Sequence, residues 1–227
     1  MRLRSRLPFA IAAMPLALIG ATSAAASEDT AYWLNLNLNV KVSDEIRVSS
    51  ETSLRTSDVR GFYQLQQSLM LGYKVSKKVT VSAGYVHAPN YSHGNFTSME
   101  RRFRQQVSVD NVAKVGPFSL SGRLRFEQRF RDDRGGTGWR LRPQVKAVAP
   151  LFGKVKINLA VEPYINLNTT SFQTTEGLDR VRNSVTFSAP LSKKFGIEIG
   201  YMNQHAFVPN APDRVDHVIM TGFSASF

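Results

Sequence analysis

The segment from Phe118 to Arg131, FSLSGRLRFEQRFR, most strongly limits what this chain can fold into. Its even-numbered positions are mostly apolar, whereas its odd-numbered positions are serine, arginine and glutamate. Successive side chains of a β-strand point to opposite faces, so a strand with this sequence has one apolar face and one charged face. At helical spacing the same charges would surround the helix and leave no apolar face to pack. We therefore predict a strand, in either a soluble sheet or a membrane barrel.

The amino-terminal residues have the three parts of a secretory signal peptide. Three arginines lie within the first six residues, a mostly apolar run covers 7–21, and small residues lead up to Ala26. We expect cleavage after Ala26, which makes 1–26 the signal peptide and 27–227 the mature protein. No other apolar stretch approaches the roughly 18 residues that cross a bilayer as a helix. We therefore expect no membrane-spanning helix after cleavage.

Charge and composition narrow the classes of function. The net charge of the full sequence is +12, and loss of 1–26 removes three arginines and no acid, which leaves +9. A basic protein can bind nucleic acid, but an exported chain rarely meets it, so we expect no nucleic-acid partner. Cysteine is absent, so disulfides do not hold the exported fold. Since no linker or compositional break is visible, 27–227 is predicted to be one domain.

Alternation with period two recurs along the whole mature chain. The eleven alternating segments are 33–42, 46–55, 63–75, 79–86, 103–112, 118–131, 139–149, 155–167, 181–189, 197–207 and 215–227. Short connections are predicted at 43–45, 76–78, 113–117, 150–154 and 190–195, and longer polar ones at 56–62, 87–99, 132–138, 168–178 and 208–214. Short turns on one side and longer loops on the other are typical of bacterial outer-membrane barrels. The segments therefore indicate a barrel in the cell outer membrane.

Aromatic residues near the predicted strand ends agree with contact to outer-membrane lipids. They are Trp33, Tyr73, Phe118, Phe130, Trp139, Phe195, Phe207 and Phe227. Aromatic rings prefer the level of the lipid headgroups, so we interpret this set as an outer aromatic girdle.

The last predicted strand ends in an aromatic carboxyl-terminal residue. Alternation runs back from Phe227 through Phe223, and Gly222 lies five residues before the end. This resembles the terminal-strand signature by which bacterial outer-membrane proteins are recognised for assembly. We therefore predict that Gly222, Phe223 and Phe227 form an assembly signal, with the barrel assembly machinery as a partner.

The number of segments disagrees with the even strand number of single-chain bacterial barrels. If the short turns are periplasmic, the first of eleven strands would run parallel to the last. The predicted fold is all-β: a single antiparallel transmembrane β-barrel of ten to twelve strands. The even-number rule favours ten or twelve, with the first segment incomplete or another segment missed or split.

Several charged and aromatic positions follow one another in an order typical of a known family. They are Trp33, Arg55, Arg123, Arg125, Glu127, Arg129, Arg140, Arg142, Glu162, Pro163, Tyr164, Arg180 and Arg182. On these residues the chain resembles DUF2490, a family of bacterial outer-membrane barrels of unknown function. The resemblance covers most of the mature chain and implies the fold and the location, but no activity.

If the apolar faces meet lipid, the charged faces line the lumen. The predicted lumen network is Glu51, Arg55, Arg102, Arg104, Arg123, Arg125, Glu127, Arg129, Arg140, Arg142, Glu162, Arg180 and Arg182. Arginines outnumber carboxylates in this set, so pairing alone does not neutralise them. The lysines in or beside the predicted short turns, Lys77, Lys78, Lys114, Lys154, Lys193 and Lys194, are expected to be solvated.

Two interpretations of the lumen network stay open at this point. Arginine–carboxylate pairs fill a narrow barrel while satisfying their donors, which is a structural role. A ring of arginines also favours anions, which predicts a small anion-preferring pore with small anions as partners. An alternative is a surface binding or lipid-modifying barrel whose site lies in the long loops.

Catalytic and metal chemistry find little support in the sequence. The four histidines, His87, His93, His205 and His217, lie in or near predicted loops and outside any recognisable Ser/His/acid spacing. The sequence contains no cysteine, and no two of its histidines have the spacing of a metal-binding pair. We therefore expect no enzyme activity, no catalytic residue, no metal and no cofactor.

Overall fold

The structure is a computed structural model that describes residues 26–227. The predicted signal peptide lies outside the described residues except for Ala26, its last residue. The strands are β1 (Ser27–Lys41), β2 (Ile46–Ser57), β3 (Gly61–Lys74), β4 (Val79–Ser92), β5 (Asn95–Val115), β6 (Phe118–Arg131), β7 (Gly138–Phe152), β8 (Val155–Asn166), β9 (Gly177–Pro190), β10 (Phe195–Ala206) and β11 (Arg214–Ser226). Residues 26–227 contain no helix suited in length and hydropathy to cross a membrane.

The strands form one closed barrel in which each strand pairs with its neighbours in sequence and β1 pairs with β11. The predicted all-β barrel is therefore confirmed, and eleven lies within the predicted range of ten to twelve strands. The expectation of an even number is wrong, because the first segment is a full strand. β1 pairs with β11 in parallel from Ser27 and Arg214 to Asn39 and Ser226. One parallel pair lets an odd number of strands close, and closure leaves no unpaired edge.

Ion pairs and a small apolar cluster hold this parallel seam from the lumen side. Arg60 donates from Nε to Oδ2 of Asp29 on β1 at 3.0 Å and from Nη2 to Oδ1 of Asp216 on β11 at 3.0 Å. Ala31, Trp33, Met202 and Val218 form the buried apolar cluster beside it. The loop between β2 and β3 therefore ties the first strand to the last.

The connections define two ends of the barrel. The turn end carries the connections 42–45, 75–78, 116–117, 153–154 and 191–194, together with the carboxyl terminus. The loop end carries 58–60, 93–94, 132–137, 167–176 and 207–213, together with the start of β1.

Two of the predicted long loops are much shorter in the structure. The expected loop at 87–99 is wrong, because β4 and β5 continue to a two-residue turn formed by His93 and Gly94. Both turn residues have positive φ, 50° and 85°, which is the backbone that a tight hairpin turn requires. The expected loop at 56–62 shortens to three residues, 58–60, for the same reason: the flanking strands pair further than their alternation indicates.

The outer and inner walls have opposite polarity. On β1, Leu34, Leu36 and Leu38 are 37%, 43% and 41% exposed on the outer face. The buried charged side chains lie on the inner face. The barrel wall is therefore apolar outside and polar inside, as the alternation predicts.

One residue of the predicted aromatic girdle faces the lumen instead. Trp33 is 6% exposed and belongs to the inner cluster at the seam, because its position on β1 alternates with the outward leucines. Tyr73, Phe195 and Phe227 are each more than half exposed near strand ends at the turn end. Trp139 packs against Phe126, with ring centroids 5.5 Å apart.

Candidate functional site

The predicted lumen network converges on one cavity inside the barrel. The cavity has a volume of about 1190 Å³, and twelve of the thirteen predicted residues line it. The exception is Glu127, which is fully buried behind the arginines that it contacts. We call the ten predicted arginines and their carboxylates the arginine band; its carboxylates are Glu51, Glu100, Glu127, Glu162 and Asp179.

Glu127 is the centre of the largest ion-pair cluster in the arginine band. Its Oε1 accepts from Nε of Arg104 at 2.7 Å and from Nη1 of Arg142 at 2.9 Å. Arg142 also donates from Nη2 to Glu162 at 2.9 Å, and Arg123 pairs with the same carboxylate. These side chains come from β5, β6, β7 and β8, so the cluster links four consecutive strands across the lumen face.

A second cluster forms around Glu100, which the sequence prediction did not include. Glu100 Oε1 accepts from Nε of Arg102 and from Nε of Arg129, each at 2.7 Å. Nη1 of Arg129 also donates to Oε1 of Gln173 at 3.0 Å. Gln173 belongs to the connection 167–176 and is 3% exposed, so this connection folds back over the arginine band.

A third cluster forms near the start of β9. Asp179 Oδ2 accepts from Nε of Arg180 at 2.7 Å and from Nη2 of Arg140 at 3.5 Å. Arg140 also donates from Nε to Oδ1 of Asn166 at 2.8 Å. Asp179 lies at a register shift between β8 and β9, where Tyr164 pairs with Arg180 and Ile165 with Leu178, so alternation does not indicate the face of Asp179.

Three arginines of the arginine band have no carboxylate within 4.0 Å among the described residues, namely Arg55, Arg125 and Arg182. Their partners are side-chain amides and a hydroxyl instead. Arg55 donates to Gln64 at 2.7 Å and to Ser53 at 3.1 Å, Arg125 donates to Gln106 at 2.9 Å, and Arg182 donates to Gln204 at 2.8 Å. Glu51 lines the same cavity, and no charged side-chain nitrogen of residues 26–227 lies within 4.0 Å of its carboxylate oxygens. With ten arginines against five carboxylates, the arginine band is strongly positive.

Two aromatic rings lie among the guanidinium groups. Four guanidinium carbons lie near the ring centroid of Tyr164: Arg142 at 4.1 Å, Arg182 at 4.7 Å, Arg140 at 5.3 Å and Arg180 at 5.6 Å. Arg55 and Arg182 lie over Trp33, at 3.8 Å and 4.9 Å from its centroid. A cation over an aromatic face is stabilised by about 0.5–2 kcal/mol. The inward parity of Trp33 and Tyr164 was the sequence signal that could have placed both rings in the lumen.

Between the arginine band and the turn end, the lumen changes in character. Its lining there includes Ser184, Ser188, Gly196 and Ser224. Five lysines line the same cavity, namely Lys146, Lys154, Lys156, Lys193 and Lys194. Lys146 and Lys156 lie on the strands β7 and β8 and not in the turns. Lys77, Lys78 and Lys114 are exposed and lie outside the cavity lining.

Comparison with known proteins places the chain in a family. A family model described as "Protein of unknown function (DUF2490)" matches residues 30–216. The chain belongs to the DUF2490 family. An uncharacterised protein of Methylorubrum extorquens is 30% identical over 219 residues, which is 92% of this chain and 93% of that protein. An anion-selective porin from Comamonas acidovorans matches with a TM-score of 0.39 and 14% identity. The match covers 82% of this chain, which spans 55% of the porin's length.

The DUF2490 match contains the whole predicted lumen network but ends before the predicted assembly signal. Phe223 and Phe227 lie on the outer face, 43% and 53% exposed, while Gly222 faces the lumen. Phe227 donates its backbone N–H to the carbonyl of Asn39 at 2.9 Å, and its ring packs edge-on against Phe195. The carboxyl terminus is thus part of the sealed barrel at the turn end.

The histidines of this DUF2490 protein lie apart from the arginine band. His205 Nε2 contacts Oδ2 of Asp213 at 2.7 Å, and His217 Nδ1 contacts the hydroxyl of Tyr201 at 2.6 Å. His93 forms the exposed tip between β4 and β5. Residues 26–227 hold no group of three or more histidine or acidic side chains arranged to bind a metal ion. The expectation that the protein is not an enzyme stays a prediction.

Proposed function

We propose that this protein is an outer-membrane barrel whose lumen acts as a small pore that prefers anions. The observation that carries the proposal is the excess of arginine inside the barrel. Arg55, Arg125 and Arg182 face the cavity without a carboxylate within 4.0 Å among the described residues.

The location in the outer membrane is supported by the polarity of the two walls. Large apolar side chains are exposed around the outside, and charged side chains are buried inside. In water an apolar surface of this extent would cause aggregation, whereas lipid tails cover it without cost. The predicted signal peptide and carboxyl-terminal strand agree with export and insertion, so outer-membrane lipids and the barrel assembly machinery are the expected partners.

Electrostatics favours an anion over a cation in this lumen. A ring of arginines sets anion preference, because its field lowers the free energy of an anion and raises that of a cation. A low-dielectric wall around a narrow passage strengthens such a field. Filling of the barrel explains the seven arginines that pair with carboxylates, but it leaves Arg55, Arg125 and Arg182 without a carboxylate within 4.0 Å among the described residues.

Planar-bilayer recordings of the refolded mature protein test the proposal. Under a KCl gradient we expect discrete openings with a reversal potential that favours chloride. The triple substitution of Arg55, Arg125 and Arg182 to Gln is expected to reduce this preference, since it removes the three positive charges that have no carboxylate pair. The triple substitution of Lys77, Lys78 and Lys114 to Gln is the control, because it removes the same charge outside the cavity lining.

Two outcomes would count against the pore. Unchanged ion selectivity in the arginine variant would show that these arginines do not determine which ions pass. A folded barrel without openings would leave filling of the lumen as the role of the arginine band. Fractionation of the cell envelope tests the location independently, since the protein is expected with the outer membrane.

The alternative of a binding or lipid-modifying site in the loops has less surface than the sequence predicted. The connections 58–60 and 93–94 are tight, and 167–176 folds over the arginine band. Only 132–137 and 207–213 remain as longer surface loops in the described part of the chain. We therefore favour the lumen over the loops.

A further inference from the structure

We propose that Arg55 and Arg182, with Trp33 and Tyr164, form a binding site for a tetrahedral oxyanion of the phosphate or sulfate class. The inference rests on the proposed function, since it assumes that anions enter the lumen. It goes further by naming the place where an anion stops and the chemistry that would hold it there.

The two guanidinium groups come from distant strands and meet at one ring. Arg55 on β2 lies 3.8 Å from the centroid of Trp33, and Arg182 on β9 lies 4.9 Å from the same centroid. Two like charges against one indole repel each other unless an anion lies near both. No carboxylate of residues 26–227 lies within 4.0 Å of either group.

Several N–H donors of these two arginines remain free for a ligand. Arg55 uses Nε on Ser53 and Nη1 on Gln64, and its Nη2 has no hydrogen-bond partner among the described residues. Arg182 uses only Nε, on Gln204, and leaves both terminal nitrogens without an acceptor in that same range. Both side chains line the cavity, so an ion in the lumen can reach them.

Tyr164 supplies a second, independent observation. It is 3% exposed, and its hydroxyl is buried without a hydrogen-bond partner in residues 26–227. A buried polar group without a partner is unfavourable by about 1–3 kcal/mol, which a bound acceptor would relieve. The guanidinium carbon of Arg182 lies 4.7 Å from the Tyr164 centroid, so this arginine lies against both rings.

The number of these donors favours a class of ligand. One carboxylate matches the fork of a single arginine, and chloride offers only one acceptor atom. Two guanidinium groups from β2 and β9 together with a phenol offer more donors than either of these ligands can use. Phosphate and sulfate provide four, and the phosphoryl group of a larger solute provides three.

The two tryptophans of the chain make the site measurable by fluorescence. Trp139 packs on Phe126, so substitution of Trp139 to Phe leaves Trp33 as the reporter. We expect a saturable change in Trp33 emission when sodium phosphate is added to the refolded mature protein at constant ionic strength. Sodium chloride at the same ionic strength is expected to give no saturable change.

Arginine variants in this single-tryptophan background test the assignment. Arg55→Gln and Arg182→Gln are each expected to weaken apparent phosphate affinity by about tenfold to a hundredfold, the usual loss for a charge-assisted hydrogen bond. Arg125→Gln is the matched control, since Arg125 also lacks a carboxylate but lies near neither ring. If Arg182→Gln fails to fold, Arg182→Lys keeps the charge, removes the fork and is expected to weaken phosphate binding as well.

The outcomes distinguish a free ion from a larger solute as the ligand. They also distinguish failure of the binding site from failure of the pore. If inorganic phosphate binds and a small phosphomonoester does not, the ligand is a free ion. If only the phosphomonoester binds, the ligand is a larger solute. A response to chloride equal to that to phosphate, or an equal loss in Arg125→Gln, would overturn the site. Saturable phosphate binding in a barrel that does not conduct would support the site while the pore proposal fails.

Discussion

The two halves of the lumen differ in how they occupy the same barrel. In the loop half, at the level of the arginine band, long charged side chains fill the interior, and Glu127 and Arg104 are 0% and 1% exposed. In the turn half, between that level and the turn end, short side chains such as Ser184 and Ser188 leave space that the lysines line. The barrel wall is continuous through both halves, so side-chain length and charge alone create the difference.

This contrast assigns different roles to the halves. Charges lose their hydration when they are buried. The attraction within an ion pair offsets this loss only when every partner is present. The loop half is therefore expected to control stability and, in the proposed pore, ion preference, whereas the turn half is expected mainly to provide access.

The largest effect is expected from Glu127→Gln in the loop half. This change removes the carboxylate that accepts from Arg104 at 2.7 Å and from Arg142 at 2.9 Å. Removal of one partner from a buried ion pair destabilises a protein by about 3–5 kcal/mol, because the remaining charges stay buried. Urea unfolding of the refolded barrel in detergent or vesicles measures the free energy of unfolding.

Glu198→Gln in the turn half is the control for this prediction. Glu198 lines the cavity without an ion pair within 4.0 Å in the described residues. Its substitution is expected to change the free energy of unfolding by no more than about 0.5 kcal/mol. Equal effects of the two substitutions would show that the halves do not differ in electrostatic packing.

The sequence predicts the wall of this barrel well because strand alternation is a local property. Phe118–Arg131 has the predicted face assignment, and β6 has the predicted bounds. The closure between β1 and β11 is different, because it joins residues nearly 190 positions apart, such as Ser27 and Arg214. The count of eleven alternating segments indicates a parallel first and last strand, but the even-number rule points away from it, and alternation does not give the register of the pair.

The candidate site was predictable only where alternation is regular. Parity alone assigns arginines such as Arg125 to the inner wall. Glu100 is an even-numbered position like Arg102 and Arg104, so alternation could have placed it on the inner wall. Asp179 lies at the register shift between β8 and β9, where alternation does not indicate a face. Gln173 reaches the arginine band through a fold of the connection 167–176, which depends on tertiary contacts. Trp33 lies near a strand end, as a girdle residue would, but its odd position on β1 turns it toward the lumen.

An intermediate effect is expected from Gly200→Ala in the wall of the turn half. A Cβ atom at this position would lie 2.3 Å from the carbonyl oxygen of Val185 and 2.6 Å from Cα of Thr186. Both are backbone atoms of β9, so the strands must move apart, which is unfavourable by about 1–3 kcal/mol. Urea unfolding again gives the measurement. Gly122→Ala is the control, since nothing lies within 4 Å of its added Cβ, and an equal loss there would rule out the steric explanation.

The smallest effect is expected from the double substitution of Lys146 and Lys156 to Gln. Both lysines line the wider turn half, where water and salt surround their charges. Screening acts over about 10 Å at 0.1 M salt and about 3 Å at 1 M, so their influence on the reversal potential should be small at 0.1 M KCl and absent at 1 M. The triple substitution of Arg55, Arg125 and Arg182 is expected to alter the reversal potential at both concentrations, because charges inside the filled loop half are screened less than exposed ones. A lysine variant that shifts the reversal potential as much as the arginine variant would place ion preference in the turn half and reverse the contrast between the two halves.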